Sequence, residues 1–188
     1  AWKRVVDIGN RPTDLFLFSE HSCNPSNVAW VKGKLRDMGW SSVMSCLDPE
    51  LKHLTGGVGG ASRGDLRLYD MAPLTTNGKL LVNSGRLAIL RAELGDHSNW
   101  ILYVVYGWTG GRELPDMAAR TDAIIKCIAE EQDLQPEVPS ALTGDLNCDP
   151  AQLPNLLALM EDQGWVDIGA VASRWGGMDM QTTCEGPN

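Results

Sequence analysis

The chain has 188 residues, 43% of them hydrophobic and 21% charged, a composition typical of one folded domain with a sizeable core. Its net charge of −8 at pH 7 disfavours a protein that wraps nucleic acid tightly, because such binding needs Lys and Arg to neutralise phosphates. No apolar run approaches the length of a membrane span, so we expect no membrane partner.

The cysteines are five in number, widely spaced and never arranged as C-x-x-C. They are Cys23, Cys46, Cys127, Cys148 and Cys184. An odd, scattered set disfavours both a zinc site and a disulfide framework, and it predicts reduced thiols in an intracellular protein.

The first predicted elements are a strand, a helix and a second strand. The segment Asp14–Glu20 contains a continuous apolar run of strand length, as expected for a strand buried on both faces. Asn24 offers an N-cap to a helix that runs to Gly39. The apolar residues at helical spacing in that helix are Val28, Val31, Leu35 and Met38. The next strand is predicted at Ser41–Cys46.

The second half alternates strands and helices less regularly. Alternation predicts a strand within Arg86–Leu94, and Trp100–Tyr106 is the strongest strand pattern in the chain. Pro115 begins a second helix, and an amphipathic segment from Gln152 to Gln163 predicts a third. A short strand is predicted at 165–168. Two neighbouring strand pairs lack a helix between them, which favours mixed sheets over purely parallel ones.

The segment from Ser140 to Pro150 reads as a short strand that ends in a Gly144 turn and presents Asp145 and Asn147. On an extended stretch, side chains at i and i+2 point to the same side, so a carboxylate and an amide would meet one ligand. That pair suits metal-assisted attack of water on a phosphoester. The alternative is an ordinary turn, since Gly, Asp, Asn and Pro are the usual turn residues.

Polar residues end three of the predicted buried strands, namely Glu20, Tyr106 and Asp145. In open α/β folds, ligands gather at the carboxyl ends of strands, so these side chains are expected to converge on one pocket. Glu20 would supply the oxygen ligand that Mg²⁺ prefers, and Tyr106 would hydrogen-bond a phosphate oxygen or the attacking water. Alternatively, Glu20 begins a solvated loop and Tyr106 is a core residue with its hydroxyl at the rim.

The order of four segments resembles the endonuclease/exonuclease/phosphatase superfamily of metal-dependent phosphodiesterases. They are Asp14–Glu20, the stretch from Gly56 to Arg63, Leu102–Tyr106, and Gly144–Asn147 with the following Pro150. The resemblance implies an α/β four-layer sandwich, with two mixed β-sheets packed face to face and helices outside. We expect residues 1–188 to form a single domain of this kind.

The resemblance also implies the chemistry. Glu20 would be the metal ligand for Mg²⁺ or Mn²⁺, and Tyr106 a phosphate-site residue. Asp145 and Asn147 would activate water and steady the transition state. Because the Thr143–Asp167 stretch is similar to domains attached to reverse transcriptases, the implied parent is a retroelement-type endonuclease that acts on DNA. The acidic composition leaves a smaller phosphoester substrate open.

This chain departs from the family pattern at both ends. The family opens with a strand bearing an Asn, and it closes with an Asp-bearing strand and a Ser-Asp-His tail, whereas this chain stops at Asn188. By position, none of His21, His53 and His97 replaces the missing His. We therefore expect the chain to be a fragment that is inactive alone. The non-enzymatic alternative is a truncated or degenerate copy that acts as a scaffold or binding module.

Two other site patterns compete with this interpretation. The stretch Gly60-Ala-Ser62-Arg-Gly64 matches the G-x-S-x-G elbow of serine hydrolases, which needs a strand before the Ser and a helix after it. The sequence around Ser62 fits that arrangement poorly, because the residues that follow look extended. The glycines at 56–59 also fail to complete a nucleotide-binding G-x-G-x-x-G, since position 62 is Ser.

Overall fold

The computed structural model describes residues 13–45, 47, 56–95 and 98–179. Their strands form two sheets. Sheet A has the order β1-β3-β2 and sheet B the order β4-β5-β6-β7. The strands are β1 Leu15–Ser19, β2 Ser41–Met44, β3 Val58–Ser62, β4 Arg67–Asp70, β5 Leu87–Glu93, β6 Asn99–Tyr106 and β7 Ser140–Asp145.

The two sheets pack face to face through apolar side chains that alternate along their strands. In sheet B, Leu90, Leu102 and Val104 point toward sheet A and pack against Leu15 and Leu17 of β1. Pairing within sheet A is antiparallel, whereas sheet B is mixed because β6 and β7 run parallel. The parallel pair matters for the site, since it brings the carboxyl ends of β6 and β7 to the same edge.

Helices cover the outer faces of both sheets. They are α1 Pro25–Asp37, α2 Thr76–Asn83, α3 Pro115–Asp133 and α4 Pro154–Asp162. Helix α1 packs on sheet A through Val28, Val31 and Leu35, while α3 packs on sheet B through residues that include Ile124 and Ile128. The predicted four-layer α/β sandwich is thereby confirmed.

Local signals placed several elements correctly. The side chain of Asn24 caps α1 by accepting a hydrogen bond from the Asn27 amide at 2.9 Å, and the helix gives way to Gly39 at φ 81°. The predicted strand at 41–46 is found at Ser41–Met44, and Cys46 lies outside the described residues. His53, His97 and Cys184 lie outside them as well.

Two elements differ from expectation. Helix α2 was not predicted, because Gly78 weakens its helical pattern. The strand predicted at 165–168 is wrong, since that segment is irregular and pairs with no strand of the described residues. Val166 and Ile168 are exposed there. Their β-branched side chains suggested a strand, but the segment pairs with no sheet edge in the described part of the chain.

None of the helices in the described parts of the chain has both the length and the apolar character needed to cross a membrane.

Candidate functional site

The residues predicted to form a site lie at the ends of three strands. In the parallel register of β6 and β7, Tyr106 is the partner of Asp145. Glu20 comes directly after β1, and its carboxylate lies near enough to the Tyr106 hydroxyl to raise the pKa of that phenol. Tyr106 therefore links sheet A to sheet B at this edge, which we call the rim, comprising Glu20, Tyr106, Gly107, Asp145 and Asn147.

Glu20 leaves its strand in a strained conformation. Its φ is 55°, in the left-handed region that residues other than glycine rarely occupy, and the residue is exposed. The next two residues are held by backbone bonds, from the His21 amide to the Gly57 carbonyl and from the Ser22 amide to the Gly56 carbonyl. The strained turn directs an exposed carboxylate toward Tyr106 instead of continuing the strand.

Tyr106 is a buried phenol whose hydroxyl reaches the rim. It is only 3% exposed, and its oxygen lies 3.3 Å from the hydroxyl of Thr109. Burial raises the pKa of Tyr106, and the nearby Glu20 carboxylate raises it further. The phenol is therefore protonated at neutral pH and can donate a hydrogen bond to an anionic oxygen.

Asp145 and Asn147 are brought together by a turn, not by the strand alternation used to predict the pair. Strand β7 ends at Asp145, and Asn147 is left-handed with φ 53°. The Asn147 amide donates to Oδ1 of Asp145 at 3.0 Å, and the Asn147 side-chain Nδ2 donates to the Gly107 carbonyl at 3.2 Å. The turn thus orients an exposed carboxylate and a half-buried carboxamide at the same edge.

Close backbone approach at the rim explains two glycines. Gly144 has φ 132°, and a side chain there would collide with the Val105 carbonyl; one at Gly107 would collide with the Leu146 carbonyl. Both strands can end together only if these positions lack a Cβ.

Arg86 contacts the rim, and the sequence did not identify it as a site residue. It immediately precedes β5, is 5% exposed, and donates from Nη1 to the Gly107 carbonyl at 2.9 Å. Its guanidinium lies over the rings of Tyr106 and Trp108, 4.7 and 4.2 Å from their centroids. In the sequence, Arg86 is only the first residue of a predicted strand segment. The available signal was an arginine directly before an apolar run, a position where a charged side chain is rarely buried.

His21 has a structural role. The Cys23 amide donates to its Nδ1 at 3.1 Å, so the ring proton resides on Nε2, which donates to the Ser45 carbonyl at 3.1 Å. Burial lowers the pKa of His21, so the ring is neutral at physiological pH. Both ring nitrogens of His21 are thus engaged in hydrogen bonds within the protein.

The serine-hydrolase alternative fails. Ser62 is the last residue of β3 and is fully buried, whereas a nucleophile elbow presents its serine on an exposed turn that leads into a helix. The chain instead continues through a turn at Gly64 into strand β4.

The donor chemistry at the rim fits a weakly held divalent cation. No group of three or more His, Cys, Asp or Glu side chains suited to a metal occurs in the described part of the chain. Mg²⁺ is nevertheless often bound through one or two carboxylates, with water and substrate phosphate completing its shell. An exposed carboxylate at Glu20 meets that requirement.

No protein-family model matches the chain, and no curated protein sequence matches it. Solved structures do match. The Neisseria 3′ phosphatase NExo bound to a product DNA hairpin superposes with a TM-score of 0.55 at 18% identity, over 84% of this chain and 65% of that one. The human Nocturnin catalytic domain with bound sulfate gives 0.54 at 10% identity, over 85% and 60%.

An AP endonuclease from Archaeoglobus fulgidus gives a TM-score of 0.50 at 14% identity, over 84% of this chain and 63% of that one. This chain thus spans less than two thirds of the length of these three structures. At such identities the likeness concerns the fold. This chain has the fold that these solved structures share, as the resemblance to the endonuclease/exonuclease/phosphatase superfamily predicted.

Proposed function

We propose that this chain is the main part of a metal-dependent phosphodiesterase whose water nucleophile is activated at the rim. One observation carries the proposal: the ends of β1, β6 and β7 bring Glu20, Tyr106 and the Asp145–Asn147 turn to one edge of the sandwich. An exposed acid can accept a proton from the attacking water, and a protonated phenol and a carboxamide can donate hydrogen bonds to phosphate oxygens during in-line attack.

Each side chain has a distinct role in this proposal. Asp145 accepts a proton from the attacking water and orients it, because the carboxylate is exposed and held by the Asn147 amide. Asn147 and the protonated Tyr106 bind phosphate oxygens as negative charge develops on them. Glu20 would hold Mg²⁺ or Mn²⁺, which supplies Lewis-acid stabilisation of that charge when bound.

DNA is the proposed substrate of the complete protein, which we propose to be a retroelement-type endonuclease. Two of the structurally similar proteins are described as a 3′ phosphatase bound to a DNA hairpin and an AP endonuclease. The net charge of −8 weakens electrostatic capture of a long polyanion, so a smaller phosphoester remains the second candidate.

The test is a nicking assay on supercoiled plasmid with Mg²⁺, Mn²⁺ or EDTA, performed with this chain and with the natural polypeptide that contains it. Glu20→Gln should lower the Mg²⁺-dependent rate of the natural polypeptide by about 100-fold, since metal stabilisation of the transition state is worth several kcal/mol. The exposed acid Glu137, in the loop before β7, provides the matched control, and Glu137→Gln should leave the rate unchanged.

Two results would contradict the proposal. One is nicking that persists in EDTA or is unaffected by Glu20→Gln. The other is a natural polypeptide inert toward plasmid and toward a small phosphodiester such as bis(p-nitrophenyl) phosphate, which would favour the scaffold alternative.

A further inference from the structure

Arg86 is a buried cation beside the rim, and two backbone carbonyls lie near its guanidinium. The Nη1 atom of Arg86 donates to the carbonyl of Gly107 at 2.9 Å and lies 3.5 Å from the carbonyl of Tyr106. A guanidinium that is 5% exposed carries a large desolvation cost, which the protein offsets with carbonyl oxygens and aromatic faces.

The two rings beside Arg86 connect the rim to helix α3. Trp108 is fixed by a hydrogen bond from its amide to the Thr121 hydroxyl at 2.8 Å, and Thr121 lies within α3. The guanidinium lies over both Trp108 and Tyr106, so the Tyr106 ring contacts a cation that also contacts the Trp108 ring, and the Trp108 backbone is bonded to α3.

The Gly107 carbonyl is a shared acceptor. It accepts hydrogen bonds from Nη1 of Arg86 at 2.9 Å and from Nδ2 of Asn147 at 3.2 Å. Asn147 is left-handed, a conformation that asparagine adopts more readily than most other residues. Its side chain bonds to the same carbonyl as Arg86, so Arg86 contacts one group at the end of β6 that also orients Asn147, just after β7.

We propose that Arg86 is a positioning residue that sets the arrangement of Tyr106 and Asn147 through the Tyr106 ring and the Gly107 carbonyl. The inference rests on the proposed function of the rim and deepens it. Arginine is needed because a planar guanidinium can stack on a ring and donate in its own plane at once, which the ammonium of lysine cannot do.

The decisive variant is Arg86→Lys, which keeps the positive charge and removes the planar guanidinium. Arg91→Lys is the matched control, since Arg91 is an exposed arginine on β5 that donates to Asn99. In the natural polypeptide, Arg86→Lys should lower kcat by about 100-fold, the effect of misplacing reacting groups by about 1 Å, with KM nearly unchanged. Arg91→Lys should leave both constants unchanged.

A second readout needs neither metal nor substrate. In ¹⁵N-labelled protein, the Asn147 side-chain amide resonances should shift, and their protons should exchange faster with solvent, in Arg86→Lys but not in Arg91→Lys. If the wild type proves inactive, the proposed function fails while this spectrum still decides whether Arg86 positions Asn147. An unchanged Asn147 amide signal overturns the inference.

The kinetic constants offer another way to overturn it. A rise in KM with kcat unchanged would mean that Arg86 binds substrate directly instead of positioning its neighbours. If Arg86→Lys does not fold, Trp108→Leu serves instead, because it removes one stacking ring and keeps the guanidinium. That variant should lower kcat by about 10-fold, the effect of a smaller displacement, and an unchanged kcat would overturn the inference.

Discussion

Two buried charged residues, Arg86 and Glu131, organise different parts of this molecule, and we propose that only Arg86 bears on function. Arg86 lies beside the rim, where it contacts the Tyr106 ring and the Gly107 carbonyl. Glu131 of α3 is 1% exposed and lies behind sheet B. Its carboxylate accepts hydrogen bonds from the Leu74 amide at 2.9 Å and from the amide and hydroxyl of Thr75, both at 2.7 Å.

Both charges are compensated mainly by polar groups of the protein, as buried charges must be. The two residues differ in the elements to which those polar groups belong. Thr75 is the N-cap of α2, so Glu131 joins two helices and also neutralises a helix N-terminus. Arg86 instead orients the rim. We therefore expect changes near Glu131 to affect folding stability, and changes at the rim to affect turnover.

The largest expected effect is on turnover, from Asp145→Asn. If Asp145 is the general base, turnover of the natural polypeptide should fall by about 10²–10⁴-fold. The remaining oxygen of Asn can still accept the Asn147 amide that Oδ1 of Asp145 accepts now, so Tm should hardly change. Steady-state kinetics with thermal melts would check both parts.

The exposed residue Asp133 of α3 is the control for this variant, because Asp133→Asn makes the same chemical change away from the rim. An Asp145→Asn protein with normal turnover would remove the rim from consideration as the active site.

The next effect is on stability. Glu131→Gln should lower the free energy of unfolding by about 2–3 kcal/mol, because hydrogen bonds to a charged acceptor are lost and an amide N–H then faces a backbone donor. Urea unfolding would measure it, with Glu130→Gln as control, since Glu130 is half-buried and pairs with Lys126 at the long distance of 4.0 Å. The comparison predicts that Glu131→Gln leaves kcat unchanged well below Tm, and a large kcat loss would break the distinction between the two regions.

The smallest effect separates two helical glycines. Gly→Ala inside a helix ordinarily stabilises by about 1 kcal/mol, and Gly33→Ala in α1 should do so because nothing lies within 4 Å of an added Cβ. Gly78→Ala in α2 should destabilise by about 1–2 kcal/mol, since the added Cβ would collide with Oε1 of Glu131. Equal shifts in the two unfolding midpoints would show that Glu131 does not pack against α2 as described.

Elements specified by local interactions could be predicted from the sequence. The apolar runs that became β1 and β6 both form strands. Strand β6 is buried over most of its length, whereas β1 is half-buried instead of buried on both faces as expected. The Asn24 cap acts within one turn of its own helix. Helix α2 could not be predicted in this way. Gly78 is tolerated because the carboxylate of Glu131 occupies the space beside it. The same carboxylate accepts a hydrogen bond from the amide of Thr75, the N-cap residue of α2.

The same division holds at the rim. The sequence by itself determined that polar residues end three strands, because the apolar pattern stops there, and so it predicted Glu20, Tyr106, Asp145 and Asn147 as neighbours. Only the tertiary structure decided the left-handed turn at Asn147 and the placement of Arg86 between Tyr106 and Trp108. Those features depend on backbone carbonyls and rings from other strands, whose positions are set by packing between distant segments and not by any local pattern.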